Sequence, residues 1–216
     1  MLKLKKNFKI SNLTSLKKCN SILILLISIV LVLLKSSDSL NVMAEENNLE
    51  ITDINKKIRE LTGAANSGDV SSQFLLGKIA LESNNPPDYP TAVYWFRIAA
   101  ESDHLEAQEL LGAQLFAGLG VPQDSSAARN WWLKAANRGS IKAQASLGVL
   151  FALGHGVEKN FIESYKWLTL AAKKGNKAAK EQRDNSIILQ MSAEQIRKAQ
   201  EKVEEFLEQQ KITTDE

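Results

Sequence analysis

The chain has 216 residues, 44% of them hydrophobic and 24% charged, enough for one globular unit or a short repeat array. Its net charge of +2 is unevenly placed: seven of the 27 basic residues but only one of the 25 acidic ones, Asp38, precede residue 45. The remainder holds 20 basic against 24 acidic side chains, a balance of −4. That body lacks the basic face that a nucleic-acid binder needs, and its one lysine cluster (Lys173, Lys174, Lys177, Lys180) reads as a solvated helix end. A single cysteine, Cys19, excludes an internal disulfide.

Residues 1–44 read as an export segment. Ile22–Leu34 is apolar at every position but Ser28. As a helix it spans about 20 Å, short of the roughly 30 Å hydrocarbon core. Lys17 and Lys18 supply the basic flank of a signal peptide, and Val42 and Ala44 offer a cleavage site before Glu45. An uncleaved membrane anchor is the alternative, but a full span would have to bury Lys35 and Asp38. Cleavage near Ala44 makes the body periplasmic or secreted, and an anchor ties it to the inner membrane. The membrane enters only through this segment.

Residues 45–68 read as an N-terminal capping helix. Ala64, Ala65 and Gly68 have the spacing of the later Ala135, Ala136 and Gly139, but Glu60 stands where the repeat has tryptophan.

Residues 69–176 carry a period of 36. Trp95, Trp131 and Trp167 obey it, as do the pairs Ala99–Ala100, Ala135–Ala136 and Ala171–Ala172. Asp88, Asp124 and Asn160 obey it too, as do Gly112 with Gly148 and Gln108 with Gln144, while Gly77 and Gln73 stand one residue closer. Each unit reads as two helices. Leu110, Leu111, Leu115 and Phe116 fall at helical spacing on the first, and the glycine inside it predicts close approach of its partner. Gly118 to Pro122 end that helix and turn the chain. Asp88, Asp124 and Asn160 are placed to cap the second helices, which carry tryptophan and small alanines. In the first unit Ser83–Pro87 replaces the glycine turn, and Asp103 stands where the other units have Gly139 and Gly175. A hairpin of this kind has apolar surface on both sides and must stack on neighbours.

Residues 177–216 read as C-terminal capping helices. Arg183 and Asp184 stand where the repeat calls for leucine and glycine. Ser192 and Gln195 form a capping-box signature ahead of a stripe of Ile196, Ala199, Val203, Phe206 and Leu207.

The run Ala107, Leu111, Gly112, Leu115, Gly118, Gly120, Val121, Ala128, Trp131, Ala135, Ala136, Gly139 resembles the Sel1-like repeat, a cousin of the tetratricopeptide repeat with a longer turn. A second copy reads Ala143, Leu147, Gly148, Phe151, Gly154, Gly156, Val157, Ser164, Trp167, Ala171, Ala172, Gly175. The resemblance implies an all-α protein, a right-handed α/α superhelical solenoid of about three Sel1-like helix hairpins with helical caps. It also implies a non-enzymatic scaffold that binds a partner protein or peptide in a concave groove lined by the first helices. Non-core positions there are Phe74, Lys78, Glu109, Ala113, Gln114, Ala145 and Val149. The constant glutamines Gln73, Gln108 and Gln144 have two readings: hydrogen bonds to backbone between units, or to an extended peptide. One subgroup of the family, rich in cysteine pairs, is linked to penicillin binding; nothing of it carries over to a chain with no cysteine after Cys19.

No catalytic constellation is spelled out. His104 and His155 have no nearby partners at metal-ligand spacing and read as solvated side chains. Ser71, Ser72, Ser125 and Ser126 have no histidine near them in sequence and suit helix starts. The tryptophans read as core pieces. No cofactor or metal is expected. A hydrolase of cell-wall material or β-lactams, the rival from another class, would need a convergent acid–base or nucleophile set that the sequence does not offer; a membrane-anchored assembly or regulatory factor is the other alternative.

Overall fold

The computed structural model describes residues 56–82 and 86–214; residues 1–55, with the segment read above as an export signal, and most of the first turn lie outside them. Among the described residues there is no helix long and apolar enough to cross a membrane. The body from Ile58 onward is one compact unit.

Helix α1, helical over 56–66, leads into three hairpins. The first pairs α2 (Val70–Glu82) with α3 (Tyr89–Glu101), the second α4 (Leu105–Ala117) with α5 (Ser125–Asn137), the third α6 (Ile141–Leu153) with α7 (Phe161–Lys173). Each of these helices has 13 residues, and each hairpin's second helix packs onto the next hairpin's first. This is the α/α solenoid that the period predicts.

Capping sets the register. Asp88, Asp124 and Asn160 accept hydrogen bonds from the amides of Thr91, Ala127 and Glu163 at 3.1, 2.8 and 3.0 Å. Their own amides donate to Ala80, Leu115 and Phe151 carbonyls, each at 2.9 Å, the first bond spanning eight residues and the other two nine. The hairpins join through a residue in the left-handed region: φ is 61° at Asp103, 90° at Gly139 and 94° at Gly175. Asp103 thus keeps the glycine conformation at a steric cost that glycine would not incur.

The glycine inside each first helix has the predicted reason. A Cβ on Gly77 would stand 2.5 Å from Phe96, and one on Gly148 2.5 Å from Leu168; on Gly112 it would strike the Trp132 indole. The residues filling these gaps are Phe96, Trp132 and Leu168, each one position after a periodic tryptophan and at most 5% exposed. Of the periodic tryptophans, Trp167 is buried, Trp131 is half-buried and packs against the core, and half-buried Trp95 departs from its assignment to the core. Successive helical residues point about 100° apart, so the position after the tryptophan is the one that faces the glycine.

A cationic ladder links successive turns. Arg138 donates to the Asp103 carbonyl at 2.6 Å and Lys174 to the Gly139 carbonyl at 3.0 Å, each reaching back 35 residues.

The last unit departs from the pattern where Arg183 and Asp184 do. After α8 (Lys177–Gln182) the chain widens into a π turn, Arg183–Ile187, then a 3₁₀ turn, Ile188–Gln190. The π turn buries Ile187 and brings Arg183 against the Tyr165 ring at 5.8 Å. Ser192 and Gln195 form the expected reciprocal cap at 2.9 and 3.2 Å. Helix α9 (Ala193–Thr214) then closes the array, packing on α7 with Ala199 and Val203 buried and Phe206 edge-on to Trp167 at 5.4 Å.

A candidate protein-binding groove between the first helices

Between the first helices α2 and α4 lies an open cavity of about 340 Å³. Helix α2 supplies Phe74, Lys78, Leu81 and Glu82; α4 supplies Glu106, Glu109 and Leu110; Lys142 reaches in from α6. Apolar Phe74, Leu81 and Leu110 therefore meet a rim of both charges.

The aromatic wall is held firmly. The Phe74 ring stacks on His104 at 4.2 Å and meets Phe96 at 5.9 Å. His104 is fixed in turn as the N-cap of α4, its Nδ1 accepting from the Ala107 amide at 3.3 Å. It is half-buried structural support, not the freely solvated side chain its position in a link suggested. An imidazole accepts this bond only at an unprotonated nitrogen. His155 is exposed, as expected.

The carboxylates are held differently. Glu109 accepts from the Ser140 hydroxyl at 2.5 Å, tying α4 to the start of α6. Glu82 pairs with Lys78 one turn away at 3.4 Å, with 66% and 41% of the two side chains exposed. A pair this wet is worth little and exchanges readily for an incoming ligand charge. Glu106, in the first turn of α4, is exposed. Since Glu106 and Glu109 lie three residues apart, both project from one face of α4.

Phe74, Lys78 and Glu109 are thus brought together around one cavity. Val149 is half-buried on α6 outside it. The glutamines stand elsewhere. Gln73, Gln108 and Gln144 are at most 4% exposed and donate through Nε2 to the Ala65, Ala100 and Ala136 carbonyls, each eight residues back, at 3.0, 3.2 and 3.1 Å. Of the two readings open from sequence, the bond is to backbone between units. These amides staple the end of each second helix to the next first helix, where the last carbonyls lack partners within the helix. Gln114, 7% exposed, is likewise an interior residue. Leu81, Glu82, Glu106 and Lys142 line the cavity without having been singled out, and Leu110 lines it from the apolar stripe of α4. Glu106 and Lys142 share one repeat position, 36 apart with opposite charges, and that variation was the available signal.

Outside the groove, burial holds the Lys166 ammonium below its ordinary range, against the pull of Glu163, while the ammonium lies over the Trp167 and Phe206 rings at 4.4 and 5.3 Å. Lys202 on α9 donates to the same carboxylate at 2.8 Å, and that contact moves its ammonium up. Both belong to the seam between α7 and α9.

Comparison with known proteins agrees with this architecture. The profile described as "Sel1 repeat" matches residues 70–104, 105–140 and 141–176. No curated protein matches. Among solved structures, the chain is similar to a protective antigen present in uropathogenic Escherichia coli strains that displays an SLR fold. The identity is 30% and the TM-score 0.64, over 70% of this chain but only 32% of that one. It thus spans about a third of that protein's length. It is also similar to a Sel1 repeat protein from Oxalobacter formigenes, with 34% identity and a TM-score of 0.53, over 60% of this chain and 98% of that one. With three repeat matches over one continuous array of hairpins, the chain belongs to the Sel1 repeat family.

Proposed function

We propose that this protein is an exported scaffold that binds a partner protein through a segment laid in the groove of its first helices. Sel1 repeats generally serve as protein–protein interaction scaffolds. The observation that carries the reading is the 340 Å³ cavity between α2 and α4, where half-buried Phe74 stands beside charged Lys78 and Glu109. Here apolar surface remains open next to charges that can fix the orientation of a ligand. Export rests on the basic and apolar pattern of residues 1–44. The similar structure described as a protective antigen supports an envelope or extracellular setting.

A photo-reactive residue at Lys78 should cross-link a partner in living cells, whereas one at exposed Glu101 on α3 should not. Equal cross-linking from both sites, or none from Lys78, would remove the groove from the reading. Intact mass of the extracellular or periplasmic protein should begin at Glu45. A mass beginning at Met1 would replace the secreted scaffold by a membrane-anchored assembly or regulatory factor.

A further inference from the structure

We propose that the segment held in this groove presents a basic side chain, arginine or lysine, whose stem lies on the Phe74–Leu110 floor and whose head meets Glu106 and Glu109. The inference rests on the groove reading above and adds the chemistry of the ligand. Five charged residues line the cavity, and they do not cancel evenly. Lys78 and Glu82 form a pair of opposite charges that adds no net charge to the cavity. That leaves the two carboxylates of α4 against Lys142 alone. Glu106 and Glu109 share one face of a single helix, so their fields add at one point.

The two carboxylates are prepared to different degrees. Glu109 is positioned by Ser140, which costs a ligand less ordering than a free rotor would. Glu106 is exposed and can turn to the ligand. The floor beneath is apolar and stiffened by the stack of Phe74 on His104. Arginine and lysine alone combine a long aliphatic stem with a cationic head, so they cover such a floor and still reach the carboxylates. Arginine fits best, because its planar fork can engage carboxylate oxygens two at a time. An acidic side chain would meet the same two carboxylates as a like charge.

The test pans the full chain against a random linear peptide library, then measures the enriched peptides by fluorescence anisotropy. Peptides with an arginine or lysine beside an apolar residue should be enriched. Their affinity should fall about tenfold or more for Glu106→Gln with Glu109→Gln, and by a similar factor when the peptide's basic residue becomes glutamine. Glutamine at residue 109 can still accept from Ser140, and unchanged helical circular dichroism confirms the fold. Enrichment of acidic or uncharged peptides, or affinity indifferent to the double substitution, overturns the proposal. If such peptides nevertheless lose binding on Phe74→Ala, the groove reading stands while the basic-ligand proposal falls. Absence of any peptide whose binding depends on Phe74 overturns both.

Discussion

The Trp132 indole lies across Gly112, its Nε1 donating to the Glu109 carbonyl at 3.1 Å, so one side chain both fills the gap opposite the glycine and anchors a turn of the groove helix. The same helix presents Glu109 to the cavity, so the core contact and the groove surface are placed by one element.

Gly112→Ala should therefore destabilise the array even though alanine favours helices. A Cβ there strikes the indole, and overpacking of this kind costs roughly 1–3 kcal/mol, against the ~1 kcal/mol that the helix gains. Gly63→Ala in α1 has nothing within 4 Å of the added carbon and should stabilise by about 0.5–1 kcal/mol. Urea titration of both variants tests the pair; stabilisation by Gly112→Ala would show that the indole moves aside freely.

Gln108→Leu keeps the side chain's approximate size but strips the Ala100 carbonyl of its donor from α4. The carbonyl keeps the Asp103 amide as a donor at 3.2 Å, so what is lost is one buried hydrogen bond, worth about 0.5–1.5 kcal/mol. The loss should appear as a lower urea midpoint with an unchanged slope, and hydrogen exchange should rise at the junction between α3 and α4. An unaltered midpoint would mean that the glutamine staple contributes nothing.

Acid should selectively weaken the start of α2. Two hydrogen bonds from Ser72, side chain and amide, are the main reason the Asp69 carboxyl sits below its ordinary value of 3.8. A depressed folded pKa contributes stability that is present above 3.8 and is lost as pH falls through the folded value. The stability difference between the wild type and Asp69→Asn should hence be constant near neutrality and shift against the wild type below pH 3.8. Denaturation of both proteins across that range checks it, and a difference independent of pH would exclude the carboxylate cap.

Much of the architecture could be read from spacing alone. The period of 36, the caps Asp88, Asp124 and Asn160, and the need for glycine at 77, 112 and 148 all follow from local rules: a capping oxygen acts within its own turn, and a helix repeats every 3.6 residues. The Ser192–Gln195 box and the α9 stripe are equally local.

Tertiary structure alone decided which face each periodic residue meets. The tryptophans mark the repeat, yet the residue after each one fills the core, because helix rotation about its axis is set by the neighbouring hairpin. The glutamines recur as a ligand-binding position would, yet they are buried and their Nε2 groups donate to carbonyls eight residues back. Phe74 and Lys78 stand on α2 and Glu109 on α4, more than thirty positions further along the chain, and only the stacking of hairpins makes them one surface. Local chemistry can specify a helix and its ends. A groove depends on distances between helices, and those are fixed by the side chains packed between them.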